Sequence, residues 1–265
     1  MDSRSGDRIS LKTPDEIVRL RAACRVVAEV LAELQAAVSP GVTTLELDRL
    51  AEAGARRRRA EPAFLGYHGY PASLCASLND EVVHGIPSAS RVLREGDIIG
   101  LDFGVVLDGF YGDAAITLPV GAVSDEARRL LEVTRGALEA AVAEACPDRR
   151  VGDLGAAVQR HVESSGFAVV RDFVGHGIGR RLHEPPQIPN FGTPGTGPRL
   201  RAGMALAIEP MVNLGRCEVD TREDGWTAYT VDGRLSAHFE HTVLVTENGP
   251  EILTLGHSAP VGAGR

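Results

Sequence analysis

Apolar residues recur at a helical period along four stretches of this chain. Ile17, Leu20, Cys24, Val27, Leu31, Leu34 and Val38 form the first stripe. Thr13-Pro14-Asp15-Glu16 precedes it and reads as a capping box with proline at the first helical position; Pro40-Gly41 stops it. Thr43 and Glu46 make a second capping box, after which Leu47 and Leu50 begin another stripe. Ser124-Asp125-Glu126 opens a third helix carrying Leu130, Leu131, Thr134, Leu138 and Val142, which Cys146-Pro147 ends. Val151 to His161 makes a fourth, closed by Gly166. The other apolar runs are short and β-like, and Asp108-Gly109, Asp224-Gly225 and Asp232-Gly233 mark antiparallel hairpins among them.

These elements come in a repeated order. VTTLELDRLAEAG from Val42 and VGDLGAAVQRHVE from Val151 each follow a helix and a proline-bearing turn. GDIIGLD (96–102) and GMALAIE (203–209) are each a turn, an apolar strand and a carboxylate at its far end. A helix–helix–strand unit used twice accounts for both matches. The expectation is one α+β domain over residues 11–255, with halves at about 11–120 and 121–255. A flexible N-terminus (1–10) and a flexible tail (256–265) are expected to flank it.

With 265 residues and 43% hydrophobic content the chain has material for a real core, and 24% charged residues is an ordinary soluble balance. A net charge of −8 argues against wholesale nucleic-acid binding. The one basic run, Arg56 to Arg59, reads as a solvated helix end or as a docking patch for an acidic partner. Cys24, Cys75, Cys146 and Cys217 show no C-x-x-C spacing, which disfavours a structural zinc site. The opening MDSRSGDRISLK has no apolar leader and no run reaches membrane length, so reduced thiols in a cytosol are expected.

Chemistry enters with the hairpin GDIIGLDFGVVLDGFYGDAAITL, residues 96–118. A two-residue Asp108-Gly109 turn pairs Leu107 with Phe110, Gly104 with Asp113 and Asp102 with Ala115. Asp102 and Asp113 then share a face as diagonal neighbours. Amid Ile98, Leu101, Val105 and Ile116 they are costly if buried; taken alone, the hairpin equally fits a sheet with one face to water. Glu209 ends the run MALAIEP and Glu240 sits inside SAHFEHTVLV. A carboxylate in each of four apolar strands does not read as a solvated face. FVGHGIGRRLHEPP (173–186) adds His176 and His183, seven apart among glycines, unlike a pair on one helix face. No Lys-Ser/Thr follows GHGIG and no G-x-G-x-x-G lies between a strand and a helix, which disfavours phosphate-loop and dinucleotide sites. Asp102, Asp113, His176, Glu209 and Glu240 are four oxygen ligands and one imidazole, suited to Co²⁺, Mn²⁺, Fe²⁺ or Zn²⁺. Their negative charge suits two divalent ions.

LGYHGYP, NDEVVHGIP, GDIIGLDFGV, DGFYGDAA, VGHGIGRRLHEPP, AIEPMV and SAHFEHTV stand in one order and spacing. Through them the chain resembles the type I methionine aminopeptidases, of the pita-bread fold, over roughly residues 10–255. The resemblance implies a cytoplasmic monomer that removes the N-terminal Met of nascent polypeptides when the second residue is small. It implies two metal ions held by Asp102, Asp113, His176, Glu209 and Glu240, with Asp113 and Glu240 as bridges. Glu209 would act as proton acceptor, His183 would hydrogen-bond the scissile amide, and His84 would contact substrate without ligating metal. Tyr67, Tyr70, Cys75, Phe173 and Trp226 fall at or near the implied methionine pocket, where a polarizable thioether packs well. The ribosome is a partner such an enzyme implies, although no motif shows that contact; DNA and membrane partners are not expected.

The chain departs from many bacterial relatives at Val83 and Val174, where Cys is common, at His238, where Gln is common, and at Phe64, which replaces a Cys near the pocket rim. None of these removes a ligand. Two other readings share the fold: a prolidase or X-Pro aminopeptidase, with the same five ligands, and a catalytically silent RNA- or ribosome-binding relative with an eroded ligand set.

Overall fold

Thr13 and Thr43 start the first two helices by the same device. In α1 (Pro14–Ala37) the Thr13 hydroxyl accepts from the Glu16 N–H while the Glu16 carboxylate accepts from the Thr13 N–H. In α2 (Thr44–Arg57) Thr43 and Glu46 repeat the exchange. Ser124 caps α3 (Asp125–Ala143), and α4 (Val151–Ser164) ends before Gly166, whose φ of +82° reverses the chain. The structure, a computed structural model, describes residues 9–255. The expected flexible ends therefore lie outside the described residues, apart from Ile9 and Ser10. Ile9 packs on an apolar core, and the Ser10 hydroxyl donates to Glu184 at 3.0 Å.

The first half contributes β1 (Glu61–Pro62), β2 (Cys75–Leu78), β3 (Glu81–Val83), β4 (Ile98–Leu107) and β5 (Phe110–Pro119). The second contributes β6 (Ala168–Val169), β7 (Gly175–Gly177), β8 (Glu184–Ile188), β9 (Ala205–Ile208) and β10 (Met211–Asn213). It continues with β11 (Val219–Thr221), β12 (Ala228–Thr230), β13 (Ser236–His238), β14 (His241–Thr246) and β15 (Gly249–Ile252). β4 lies against β1, β2 and β5; β15-β14-β9-β7-β8 form a five-stranded antiparallel sheet; β13-β10-β6 and β11-β12-β3 are smaller sheets. The fold is α+β, with helices α1 and α2 over the first sheet and α3 and α4 over the second. Val27, Leu34, Leu47 and Phe103 belong to one apolar core, and Leu130, Leu154, Leu206 and Val243 to another.

The β4–β5 hairpin has the register read from its turn: Leu107 opposite Phe110, Gly104 opposite Asp113 and Asp102 opposite Ala115. Asp108 and Gly109 both take left-handed φ, +49° and +76°, as a type I′ turn requires. Asp224-Gly225 joins the paired strands β11 and β12. Asp232-Gly233 makes no hairpin. β12 pairs with β11 and β3, whereas β13 pairs with β10, so this turn carries the chain from one sheet to another. The Thr230 and Ser236 N–H groups are taken by the carbonyls of Asp80 and Asn79, which leaves them no ladder to share.

The halves join along a seam. Asp113, Ala115 and Thr117 of β5 face Thr242, Glu240 and His238 in antiparallel order. Glu240 N–H donates to the Ala115 carbonyl at 2.9 Å. On one side Thr242 Oγ1 accepts from the Asp113 N–H and donates to the Asp113 carbonyl; on the other Thr117 Oγ1 does the same for His238. Two strands break at this seam. MALAIEPMV splits at Glu209-Pro210 into β9 and β10, and SAHFEHTVLV splits at Phe239-Glu240 into β13 and β14. Ile208 pairs with His241 and Met211 with His238, so the breaks lie opposite each other. Pro210 has no N–H to donate, which helps end β9 there. Glu209 therefore stands at the far end of β9, as expected, whereas Glu240 sits at a break between strands and not inside one.

Three of the four arginines in the basic run are tied back to acidic residues. Arg56 pairs with Glu52, Arg57 with Glu33, and Arg58 with Glu29 and Glu33 of α1, at 2.6–2.9 Å. This fits the helix-end reading better than a docking patch. All four cysteines are free thiols. Among the described residues no helix is long and apolar enough to cross a membrane.

Candidate metal centre

Five side chains from strand centres and strand breaks turn into one cavity. Asp102 comes from β4 and Asp113 from β5; His176 comes from β7, where it faces Ala207 of β9; Glu209 and Glu240 come from the two opposed breaks. Asp113, His176 and Glu240 each offer a ligand atom, and these atoms lie within 4.8 Å of one another. The Asp102 carboxyl is within hydrogen-bonding reach of Asp113, and Glu209 Oε1 is 3.5 Å from His176 Nε2. All five line a cavity of about 130 Å³. That is well below the ~300–1,000 Å³ typical of sites for drug-sized ligands, so it suits one small side chain and its backbone ends.

Electrostatics make this cluster costly by itself. None of the lining side chains is Lys or Arg. Burial pushes the Asp102 carboxyl up to about 7. Burial, then the charges of neighbouring carboxylates, raises Asp113, Glu209 and Glu240 well above the usual range. Asp102 Oδ1, Asp113 Oδ1 and Glu240 Oε1 are buried without a hydrogen-bond partner. Buried polar atoms are seldom left so. His176 Nδ1 meets the Gly177 carbonyl at 2.9 Å; as donor there it leaves Nε2 free to ligate. Burial lowers the His176 pKa to about 3, so its imidazole is neutral. Hard oxygens, one neutral imidazole and orphaned acceptors fit divalent cations. Four carboxylates balance the charge of two.

Glycines let the strands close on this centre. A Cβ at Gly112 would strike the backbone of Cys24 and Ala23 in α1, at 2.8–2.9 Å. One at Gly104 would press Phe64 at 2.9 Å and Asp113 Oδ1 at 3.2 Å.

Around the mouth stand His84, His183 and Tyr67. The Tyr67 hydroxyl and His183 Nδ1 are 2.7 Å apart, and the His183 and His176 rings lie 4.2 Å apart. His84 takes a left-handed φ of +61°, an uncommon conformation for a residue with a side chain. Its pKa is lowered to about 4, first by burial and then by the charge of His183. Tyr70, Cys75 and Trp226 line the cavity, with Tyr70 edge-on to Trp226 at 5.1 Å. Phe173 is absent from the lining; it packs edge-on behind His84 at 5.4 Å. Phe64, His68 and Leu182 also line the cavity. Of these, His68 and Leu182 escaped the sequence reading. His68 sits inside LGYHGYP between the two tyrosines and was legible there; Leu182, a leucine in a polar loop, carried no signal. His238 is buried beside Glu209, Nε2 3.7 Å from Oε2 and otherwise unpartnered.

Residues 18–247 match the model of metallopeptidase family M24. The chain is 52% identical over 247 residues to the methionine aminopeptidase of Clostridium perfringens, covering 93% of this chain and 99% of that one. The crystal structure of methionine aminopeptidase from Thermotoga maritima superposes with a TM-score of 0.92 at 51% identity, over 94% of this chain and all of that one. A prolidase from Pyrococcus furiosus superposes with a TM-score of 0.74 at 23% identity, over 92% of this chain and 65% of that one, a likeness of fold alone.

Proposed function

Because the chain belongs to metallopeptidase family M24, and within it to the methionine aminopeptidases, we propose a dinuclear centre as the means by which it removes N-terminal methionine. Asp102, Asp113, His176, Glu209 and Glu240 would hold two divalent cations. The observation that carries this reading is the set of buried carboxylate oxygens with no partner and no basic neighbour. When bound, such cations lower the pKa of a water and polarise the scissile carbonyl.

Glu209 accepts the proton of the attacking water and returns it to the leaving amine, a task suited to a carboxylate that stands among the ligands. Tyr67 donates to His183 Nδ1, so that Nε2 keeps its proton and points a donor at the oxygen where charge develops. Burial, then the charge of His68, lowers the His183 pKa and favours this neutral form. His84 contacts the substrate, with Phe173 behind it. Tyr70, Cys75 and Trp226 receive the methionine side chain. The small cavity favours a small second residue. Reduced thiols support a cytosolic setting in which nascent chains are the substrates.

The test is to assay a Met-Ala peptide beside an Ala-Pro peptide, with the metal content of the loaded protein measured in parallel. Cleavage confined to Met-Ala with two metal ions per chain is expected. Preference for Ala-Pro would move the reading to a prolidase, and a single metal at full activity would remove the dinuclear scheme.

A further inference from the structure

Glu184 gathers four donors from two parts of the chain far apart in sequence. Its Oε2 accepts from Lys12 Nζ at 2.6 Å and from the Ser10 hydroxyl at 3.0 Å. Its Oε1 accepts from the backbone N–H groups of Arg180 at 2.8 Å and Arg181 at 3.1 Å. One oxygen thus faces the segment ahead of α1, and the other faces the loop that carries His183. The Lys12 and Glu184 side chains are only 4% and 8% exposed.

Other contacts hold the same two segments together. The Lys12 stem lies flat on Gly179, where a Cβ would collide with Lys12 Cε. Glu16 closes the α1 capping box with one oxygen and accepts from Arg180 Nε with the other, at 2.9 Å. Residues 10–16 therefore grip the loop from Gly179 to Glu184 at both ends. Inside that loop stands His183, directly after the strand that carries His176.

A buried ion pair is weak evidence of stabilisation, because desolvation offsets most of the attraction. What it fixes is geometry. A donor to a developing oxyanion must be held to within a fraction of an ångström, and a misplacement of about 1 Å can cost about 100-fold in rate. We propose that Lys12 and Glu184 are positioning residues for His183, and that the segment ahead of α1 is a clasp on the catalytic loop. This rests on the reading of His183 as an oxyanion donor.

The experiment uses the full chain loaded with Mn²⁺. It compares wild type with Lys12→Met, Lys12→Arg, Glu184→Gln, His183→Ala and the double variant Lys12→Met/His183→Ala. The kcat and KM for Met-Ala-Ser are measured, together with Mn²⁺ affinity by calorimetry and melting temperature. Lys12→Met and Glu184→Gln are expected to lower kcat about 10–100-fold, leaving KM and Mn²⁺ affinity nearly unchanged. Lys12→Arg should recover most of the loss. In the His183→Ala background, Lys12→Met should add little further loss in kcat, which a general loss of structure would not produce. Should Lys12→Met fail to fold, the isosteric Glu184→Gln carries the test. Unchanged kcat in folded variants, full additivity with His183→Ala, or Mn²⁺ affinity falling in step with kcat would each overturn the proposal. If His183→Ala loses kcat while Lys12→Met and Glu184→Gln keep it, the clasp alone fails. If His183→Ala keeps wild-type kcat, the reading of His183 fails and takes the clasp with it.

Discussion

At Asp102 an ordinary carboxyl value of 3.8 rises to about 7 through burial, and that shift has a definite sign. Between those values this carboxyl binds more proton in the folded, metal-free chain than in the unfolded chain. Its contribution to stability therefore falls as pH rises across the window. Cations compete with those protons, so metal should stabilise most where the carboxylates are ionised. His84, His176 and His238, whose pKa values burial lowers, act with the opposite sign, so the carboxyl is read by difference: chelator-stripped Asp102→Asn is expected to gain melting temperature over wild type by more at about pH 7.5 than at about pH 5, and Mn²⁺ should raise the wild-type melting temperature more at the higher pH. A gain from Asp102→Asn that is no larger at the higher pH would contradict the burial argument. Asp113→Asn removes one of four crowded charges. It should stabilise the metal-free chain yet weaken Mn²⁺ binding by more than about 100-fold, since even hydrogen-bond partners behind a ligand cost about 10–100-fold. Melting and calorimetry on one preparation check both halves of that statement. Much of this residue chemistry was legible from sequence. The Asp108-Gly109 turn set the register of Asp102 and Asp113, and apolar surroundings marked Glu209 and Glu240 as misfits on a solvated face. Lys12 and Glu184 were invisible, because charged residues at a chain end and in a loop read as solvated until their burial is seen.

At the scale of elements, helix starts were legible because capping is local: Thr13 with Glu16 and Thr43 with Glu46 need only neighbours in sequence. The strand break at Glu240 was not. SAHFEHTVLV has continuous β character, and what divides it is a change of partner from β10 to β9. Asp232-Gly233 misled for the same reason, since a turn's chemistry does not say which sheet the next strand joins. The seam shows what such breaks require. Thr242 Oγ1 serves both the N–H and the carbonyl of Asp113. Thr242→Val keeps the shape and leaves two buried backbone groups unpaired. At ~1–3 kcal/mol for each such group, it should cost about 2–6 kcal/mol of stability. It should also weaken metal binding, because Asp113 loses its anchor. Denaturant unfolding and calorimetry check this; a variant of wild-type stability would mean the seam does not depend on that hydroxyl.

For the molecule as a whole, the centre lies where strands from the earlier and the later part of the chain meet. The first half supplies Asp102 and Asp113, the second supplies His176, Glu209 and Glu240, and the cavity opens where the two sheets meet. Neither half holds the full set, so cations bound there would tie the halves across the seam. The most direct test of this account is release of free methionine from Met-Ala-Ser by chelator-stripped protein, with Co²⁺, Mn²⁺, Fe²⁺ or Zn²⁺ added back. The account predicts negligible release from the stripped protein and recovery with at least one of the four metals. Methionine release that persists at full rate after complete stripping, or folded protein that stays inactive with every metal, would contradict it.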